Sequence, residues 1–334
     1  MFSVFIIITK GVALKKFLKI LILITTNIII SFILFIILDI SILKIHNKKI
    51  PQRYKSFDTF CHNISSPSIW PYENLENFFT GEDKTGFLSG RAPEGTEYKT
   101  SPIVIFGCSF GYGFMLEENQ TFGYKLSHLL KRPVYNRSID GGSLQYMYLQ
   151  AISDYFYKEV PDSKDYIYIM INDHYRRMLG EHFDYEGTLC SYFYFKNNKL
   201  IHKKHNNYLT NFIETSSIYQ ILKKRYNEKI LYDERNEQYL TDFVVKYFSE
   251  TKNAIEKRLK HKINFTVILY DNAPILYKDT LIKKLNAIDI KVLETSKLAN
   301  KNLLKKKYLI AFHPNEKAWN ILTEPIAKEI NKNK

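Results

Sequence analysis

Residues 102–113 run Pro102-Ile103-Val104-Ile105-Phe106-Gly107-Cys108-Ser109-Phe110-Gly111-Tyr112-Gly113, a short apolar segment that ends in glycine and passes at once into a glycine-spaced turn carrying a serine. An apolar run of this length, bounded by turn residues, is how a fully buried parallel strand reads. A serine at a tight strand-to-helix turn projects its hydroxyl beyond the sheet edge. The flanking glycines tolerate a strained backbone and allow close approach of a substrate. The competing reading of Ser109 is a plain helix cap.

Outward from this stretch the same alternation repeats. Thr121 to Leu130 reads as a helix, Val134-Tyr135-Asn136 as a second strand and Leu144 to Val160 as a helix. Tyr166 to Ile171 is the third strand, Tyr239 to Leu259 a long amphipathic helix, Phe265 to Tyr270 the fourth strand and Thr280 to Ile288 a helix. Ile290 to Leu293 is the fifth strand, and Asn315 to Ile330 is a final helix that Pro314 suits as a start. Strands alternating with helices imply a parallel sheet covered on both faces, with the ligand site beyond the carboxyl ends of the strands. Residues 175–236 interrupt the alternation with a hairpin over Tyr192 to Ile201 and a helix over Ser217 to Tyr226, and read as an inserted cap.

The polar residues after each strand therefore matter most. The second strand leads to Ile139-Asp140-Gly141-Gly142, where a glycine N–H faces a ligand without side-chain obstruction; an ordinary turn glycine is the plain alternative. The third ends in Ile171-Asn172-Asp173-His174, and an Asn amide at a strand end donates well to a developing oxyanion, though Asn also serves turns and caps. His313-Pro314-Asn315 precedes the last helix, and a histidine over the same sheet edge can act as general base to a serine.

In this order the four blocks resemble those of the SGNH (GDSL-like) hydrolase superfamily, over roughly residues 101–332. The resemblance implies a flavodoxin-like three-layer α/β/α sandwich around a five-stranded parallel sheet. It makes Ser109 the nucleophile and His313 the base, with the Ser109 N–H, Gly141 and Asn172 as the oxyanion hole. Three positions depart from the family pattern. Cys108 stands where the family has Asp, Met170 where it has Gly, and Ile310 and Ala311 where the family's Asp would orient the histidine. A missing carboxylate of that kind costs about ten-thousand-fold in related triads. A backbone carbonyl ahead of His313 would give a Ser-His dyad, and Glu294 or Asp271 are the carboxylates that would otherwise substitute. Asp173, His174 and Arg177, with Arg176, read either as substrate-binding groups beside the oxyanion hole or as a solvated helix start. His174 lacks partners at metal-ligand spacing, so no metal and no cofactor is expected.

The N-terminal region adds an anchor. Ile20 to Leu38 runs without a charge, long enough to cross a bilayer as a helix, and no small-x-small cleavage site follows it. Lys10, Lys15, Lys16 and Lys19 before the span against Lys44, Lys48 and Lys49 after it favour a cytoplasmic N-terminus by a small margin. The expected organisation is an anchor over 1–44, a connector over 45–100 and a hydrolase-like domain over 101–334, placed on the periplasmic or extracellular side. The formal net charge is +14, without the zinc-finger spacing or aromatic signature of a nucleic-acid binder, so the lysines read as a solvated surface. For Cys61, Cys108 and Cys190 two readings stand: three free thiols, or a Cys61–Cys190 disulfide if the domain lies outside the cytoplasm. The function expected is a serine esterase removing acyl groups, acetyl in the first place, from a cell-surface carbohydrate. The alternatives are an O-acyltransferase on an envelope glycan and a non-catalytic glycan-binding protein. The sequence carries no signal for oligomeric state.

Overall fold

In a computed structural model of the chain, the residues described are 2–45, 91–139, 141–179, 193–196, 199–202, 217–271, 273–299 and 302–332. Most of the expected connector, the loops of the expected cap, Cys61 and Cys190 lie outside them. Cys108 is a free, buried thiol.

The elements begin with helix α1 (Phe2–Ile45), strand β1 (Ile103–Gly107), helices α2 (Ser109–Tyr112) and α3 (Phe122–Leu130), and strand β2 (Val134–Asn136). Helices α4 (Leu144–Ile152) and α5 (Asp154–Glu159), strand β3 (Asp165–Met170) and helix α6 (Asp173–Met178) follow. Next come β4 (Phe193–Lys196), β5 (Lys199–His202), α7 (Ser217–Leu231) and α8 (Glu237–Leu259). The chain closes with β6 (Asn264–Leu269), α9 (Lys278–Ala287), β7 (Lys291–Glu294), α10 (Thr295–Ala299), the strands β8 (Leu309–Ile310) and β9 (His313–Pro314), and α11 (Glu316–Asn331). Two compact units divide the chain: α1 belongs to the first, and β1 to β5 and α8 to α11 belong to the second.

The five expected strands form one sheet in the order β2-β1-β3-β6-β7, every neighbour pair parallel. This is the flavodoxin-like doubly wound order, with helices on both faces. Period-two alternation sorts the strand residues between two cores. Val104, Phe106, Tyr166, Tyr168, Met170, Phe265, Val267 and Leu269 face a layer that includes Met147 of α4 and Val244 and Phe248 of α8. Ile103, Ile105, Ile167, Ile169 and Ile268 face the other layer, with Phe122 and Leu126 of α3 and Trp319, Leu322 and Ile326 of α11. A strand buried on both faces has no polar phase, which is why the runs are continuously apolar.

Three local expectations are corrected. The single helix expected over Leu144 to Val160 breaks at Ser153, whose φ of −90° and ψ of 130° are extended. Pro314 does not start the last helix: it pairs with Leu309 in a two-stranded hairpin, and Asn315 caps α11 by accepting from the Ala318 N–H at 3.2 Å. The helix expected to end at Tyr226 runs on to Leu231. The antiparallel pair β4–β5 matches the expected hairpin. Within α1, Lys19–Leu38 has a mean hydropathy of 2.9 and is long and apolar enough to cross a membrane or to serve as a signal sequence.

Candidate active site

Ser109 opens α2 directly at the end of β1 and is almost wholly buried. Its Oγ lies 2.8 Å from Nε2 of His313, and Nδ1 of the same imidazole lies 2.7 Å from the carbonyl oxygen of Ala311. A proton on Nδ1, donated to that carbonyl, leaves Nε2 as the acceptor for the serine hydroxyl. Phe110 and Phe114 lie against the imidazole, with ring centroids 5.1 and 5.0 Å away, so the ring is packed in place as well as hydrogen-bonded.

The carbonyl reaches the histidine because of a two-residue hairpin. Ile310 pairs with His313 across a turn whose central residues, Ala311 and Phe312, have φ of 44° and 66°. Both central residues of a type I′ hairpin turn require positive φ, a requirement that Asn-Gly usually meets. Here Ala and Phe adopt it, at about 1–2 kcal/mol each. The turn thereby brings its own carbonyl against Nδ1 of His313.

Neither alternative carboxylate bonds to His313 among the described residues. Asp271 accepts from Lys278 at 3.0 Å, from the Ser296 N–H at 2.8 Å and from the Ser296 hydroxyl at 2.6 Å. Glu294 pairs with Lys278 at 2.9 Å and with Lys297. Both carboxyls titrate below their ordinary values, because these hydrogen bonds and cations outweigh the opposing effect of burial.

Three hydrogen-bond donors at this edge of the sheet have no acceptor among the described residues. The Ser109 N–H is at the first position of a helix, where no intrahelical acceptor exists. Gly141, with φ of 70°, donates its N–H to no acceptor among the described residues. Asn172 accepts from the Leu276 N–H through Oδ1 at 2.8 Å, which fixes the amide, while its Nδ2 has no partner among the described residues. A cleft of about 330 Å³ is lined by Asn172 together with Phe110, Ile171, Asp173, Tyr270 and Phe312 among others.

The other expected ligand groups fall differently. Asp173 lines the cleft but is ion-paired to Arg176 at 2.6 Å and to Arg177 at 2.7 Å. His174 is fully buried and cannot touch a ligand in the cleft; its Nδ1 faces the Tyr168 hydroxyl at 3.1 Å. Burial, helped by the nearby Arg177 guanidinium, holds its pKa well below the ordinary value, so the ring is neutral. Arg177 turns inward and donates Nη1 to the Gly142 carbonyl at 2.6 Å. Cys108 is also buried, and burial pushes its thiol pKa up against a smaller opposing pull from Arg177. The sequence carried no signal for the Arg177–Gly142 contact, which joins helix α6 to the loop after β2, nor for the hairpin, whose turn lacks glycine and asparagine.

No family model matches the chain. No curated protein matches it either. Among solved structures it is similar to a lipolytic protein of the G-D-S-L family from Desulfitobacterium hafniense, at 11% identity and a TM-score of 0.40, over 69% of this chain and 99% of that one. A G-D-S-L family protein from Veillonella parvula matches at 12% identity and a TM-score of 0.38, over 70% and 99%. An acetyl xylan esterase from Butyrivibrio proteoclasticus matches at 7% identity and a TM-score of 0.41, over 70% and 64%. The parallel sheet order β2-β1-β3-β6-β7, with Ser109 directly after β1 and His313 just ahead of α11, is the doubly wound arrangement expected from the sequence.

Proposed function

We propose that the chain is a serine esterase of the SGNH type working through a Ser109–His313 dyad. The observation that carries this reading is the bridging imidazole, in contact with the Ser109 hydroxyl on one side and the Ala311 carbonyl on the other. His313 takes the hydroxyl proton on Nε2 as Oγ attacks the ester carbonyl. The charge that develops on the ester oxygen is met by the Ser109 N–H, the Gly141 N–H and Nδ2 of Asn172. His313 then returns the proton to the departing alkoxide, leaving an acyl-serine and a free alcohol. A water molecule, deprotonated by the same nitrogen, attacks the acyl carbonyl, and His313 returns that proton to Ser109 Oγ as the bond to the acyl group breaks and the carboxylic acid leaves. The Ala311 carbonyl fixes the tautomer without adding a negative charge, so the imidazolium is less stabilised than beside a carboxylate.

The acyl carrier in this reading is a carbohydrate of the cell surface and the acyl group acetyl, the substrate class implied by the sequence resemblance. The acetyl xylan esterase among the structural neighbours carries a substrate of that kind in its name. Lys19–Leu38 anchors the protein, with the domain on the outer side of the membrane. The test is product analysis on an acetylated oligosaccharide. Free acetate and deacetylated sugar in equal amounts, lost in Ser109→Ala, are expected. Transfer of acetyl to an added sugar without free acetate would establish the acyltransferase instead, and no acyl release would argue for a binding protein.

A further inference from the structure

Arg177 and Asp173 were candidates for touching substrate, yet their contacts lead into the protein. Asp173 opens α6, one residue after Asn172. Its carboxylate holds the Arg177 guanidinium at 2.7 Å, and Nη1 of that guanidinium donates to the carbonyl of Gly142 at 2.6 Å. Gly142 follows Gly141 directly, so one side chain ties the Gly141–Gly142 turn to the segment that carries Asn172.

The turn is clamped from the other side as well. The Ile139 N–H donates to the Gly107 carbonyl, and the Gly142 N–H donates to the Ile139 carbonyl at 3.1 Å. A Cβ on residue 142 would stand 2.3 Å from the Gly107 oxygen, so the turn is pressed against the end of β1, two residues before Ser109. The Arg177 contact adds a third hydrogen bond to this turn. The arrangement is also buried: Arg177 is largely enclosed, with the neutral His174 and the Cys108 thiol close by. A thiol with a raised pKa is uncharged beside the guanidinium. A carboxylate at residue 108 would compete with Asp173 for Arg177; the uncharged Cys108 leaves the guanidinium to Asp173 and the Gly142 carbonyl.

We propose that Arg177, held by Asp173, is a positioning residue for the oxyanion hole: it sets the Gly141 N–H in register with the Asn172 amide and does not itself bind substrate. The inference rests on the esterase reading of Ser109 and His313. A donor misplaced by about 1 Å costs on the order of 100-fold in rate.

The test uses the full-length protein in detergent, with hydrolysis of p-nitrophenyl acetate normalised to the number of serines that a fluorophosphonate titrates. Arg177→Gln and Asp173→Asn are expected to lower kcat about 10- to 100-fold with KM within about threefold, because the loss is felt only as the oxyanion forms. Arg177→Lys, which keeps a cationic donor, is expected to recover part of kcat. The pH profile of kcat/KM keeps its shape, since His313 is untouched. A raised KM with unchanged kcat in Arg177→Gln would make Arg177 a substrate-binding residue and overturn the proposal. Unchanged kcat and KM in Arg177→Lys and Arg177→Gln alike would overturn it too. Should Arg177→Gln fail to fold, Arg177→Lys and Asp173→Asn decide: wild-type kcat in both counts against the clamp. Failure of the wild type to react with the fluorophosphonate removes the esterase reading itself, a result distinct from all of these.

Discussion

Ser109 and His313 lie 204 residues apart in the chain and 2.8 Å apart at Oγ and Nε2. The sheet makes this possible. The serine leaves the carboxyl end of β1, and the histidine hangs from a hairpin just before α11, which packs on the sheet through Trp319, Leu322 and Ile326. What distinguishes the pair is the third partner, the main-chain carbonyl of Ala311.

Because that partner is backbone, its substitution is tolerated in a way a side-chain partner would not be. Ala311→Gly keeps the carbonyl and removes a left-handed penalty of about 1–2 kcal/mol, set against about 0.5–1 kcal/mol for the greater freedom of glycine in the unfolded chain. The variant is expected to gain about 0.5–1 kcal/mol in stability and to keep its esterase rate within a few-fold. Denaturant midpoints and p-nitrophenyl acetate rates check both. A loss of stability would mean that the turn is not strained at residue 311.

Asn172 allows its two roles to be separated. Asn172→Asp keeps an oxygen for the Leu276 N–H and removes the Nδ2 donor. Thermal stability near the wild-type value with kcat lower by about 10²–10³ is expected, the usual cost of one oxyanion donor. An unchanged kcat would remove Asn172 from the oxyanion hole.

Glu94 gives a pH dependence away from the site. Its segment exchanges two backbone hydrogen bonds with Val134, at the edge strand β2. Burial, together with the hydrogen bond and the charge of Glu118, raises its pKa from 4.5 to about 8. Between these values the folded protein holds a proton that the unfolded chain has released, so stability falls as pH rises through the interval. Glu94→Gln is expected to flatten that fall, measured as the urea midpoint at pH 6 and pH 9. Equal pH slopes in the two proteins would count against the raised pKa.

The legibility of the chain was uneven for physical reasons. Strands such as Ile103 to Phe106 and Phe265 to Leu269 are buried on both faces, so their composition alone marks them. Gly141, Asn172 and His313 stood out as candidates in the sequence because each follows a strand or precedes a helix at one sheet edge. The hairpin around Ala311 and Phe312 was hidden, since neither residue is a turn former; both are exposed, and their positive φ goes with the pairing of β8 and β9 on either side. The inward turn of Arg177 was hidden for a similar reason: a charged residue in a helix's first turns reads as solvated until the loop across from it is known. His174 was misplaced by the same logic, its polarity suggesting a surface when Tyr168 buries it.

Activation of Ser109 as a nucleophile by His313 is read out by reaction with a fluorophosphonate. The folded wild-type protein is expected to be labelled stoichiometrically on Ser109, identified by peptide mass, with Ser109→Ala unlabelled and His313→Ala labelled far more slowly. A folded wild-type protein that remains unlabelled, or that is labelled at the same rate without His313, would contradict it.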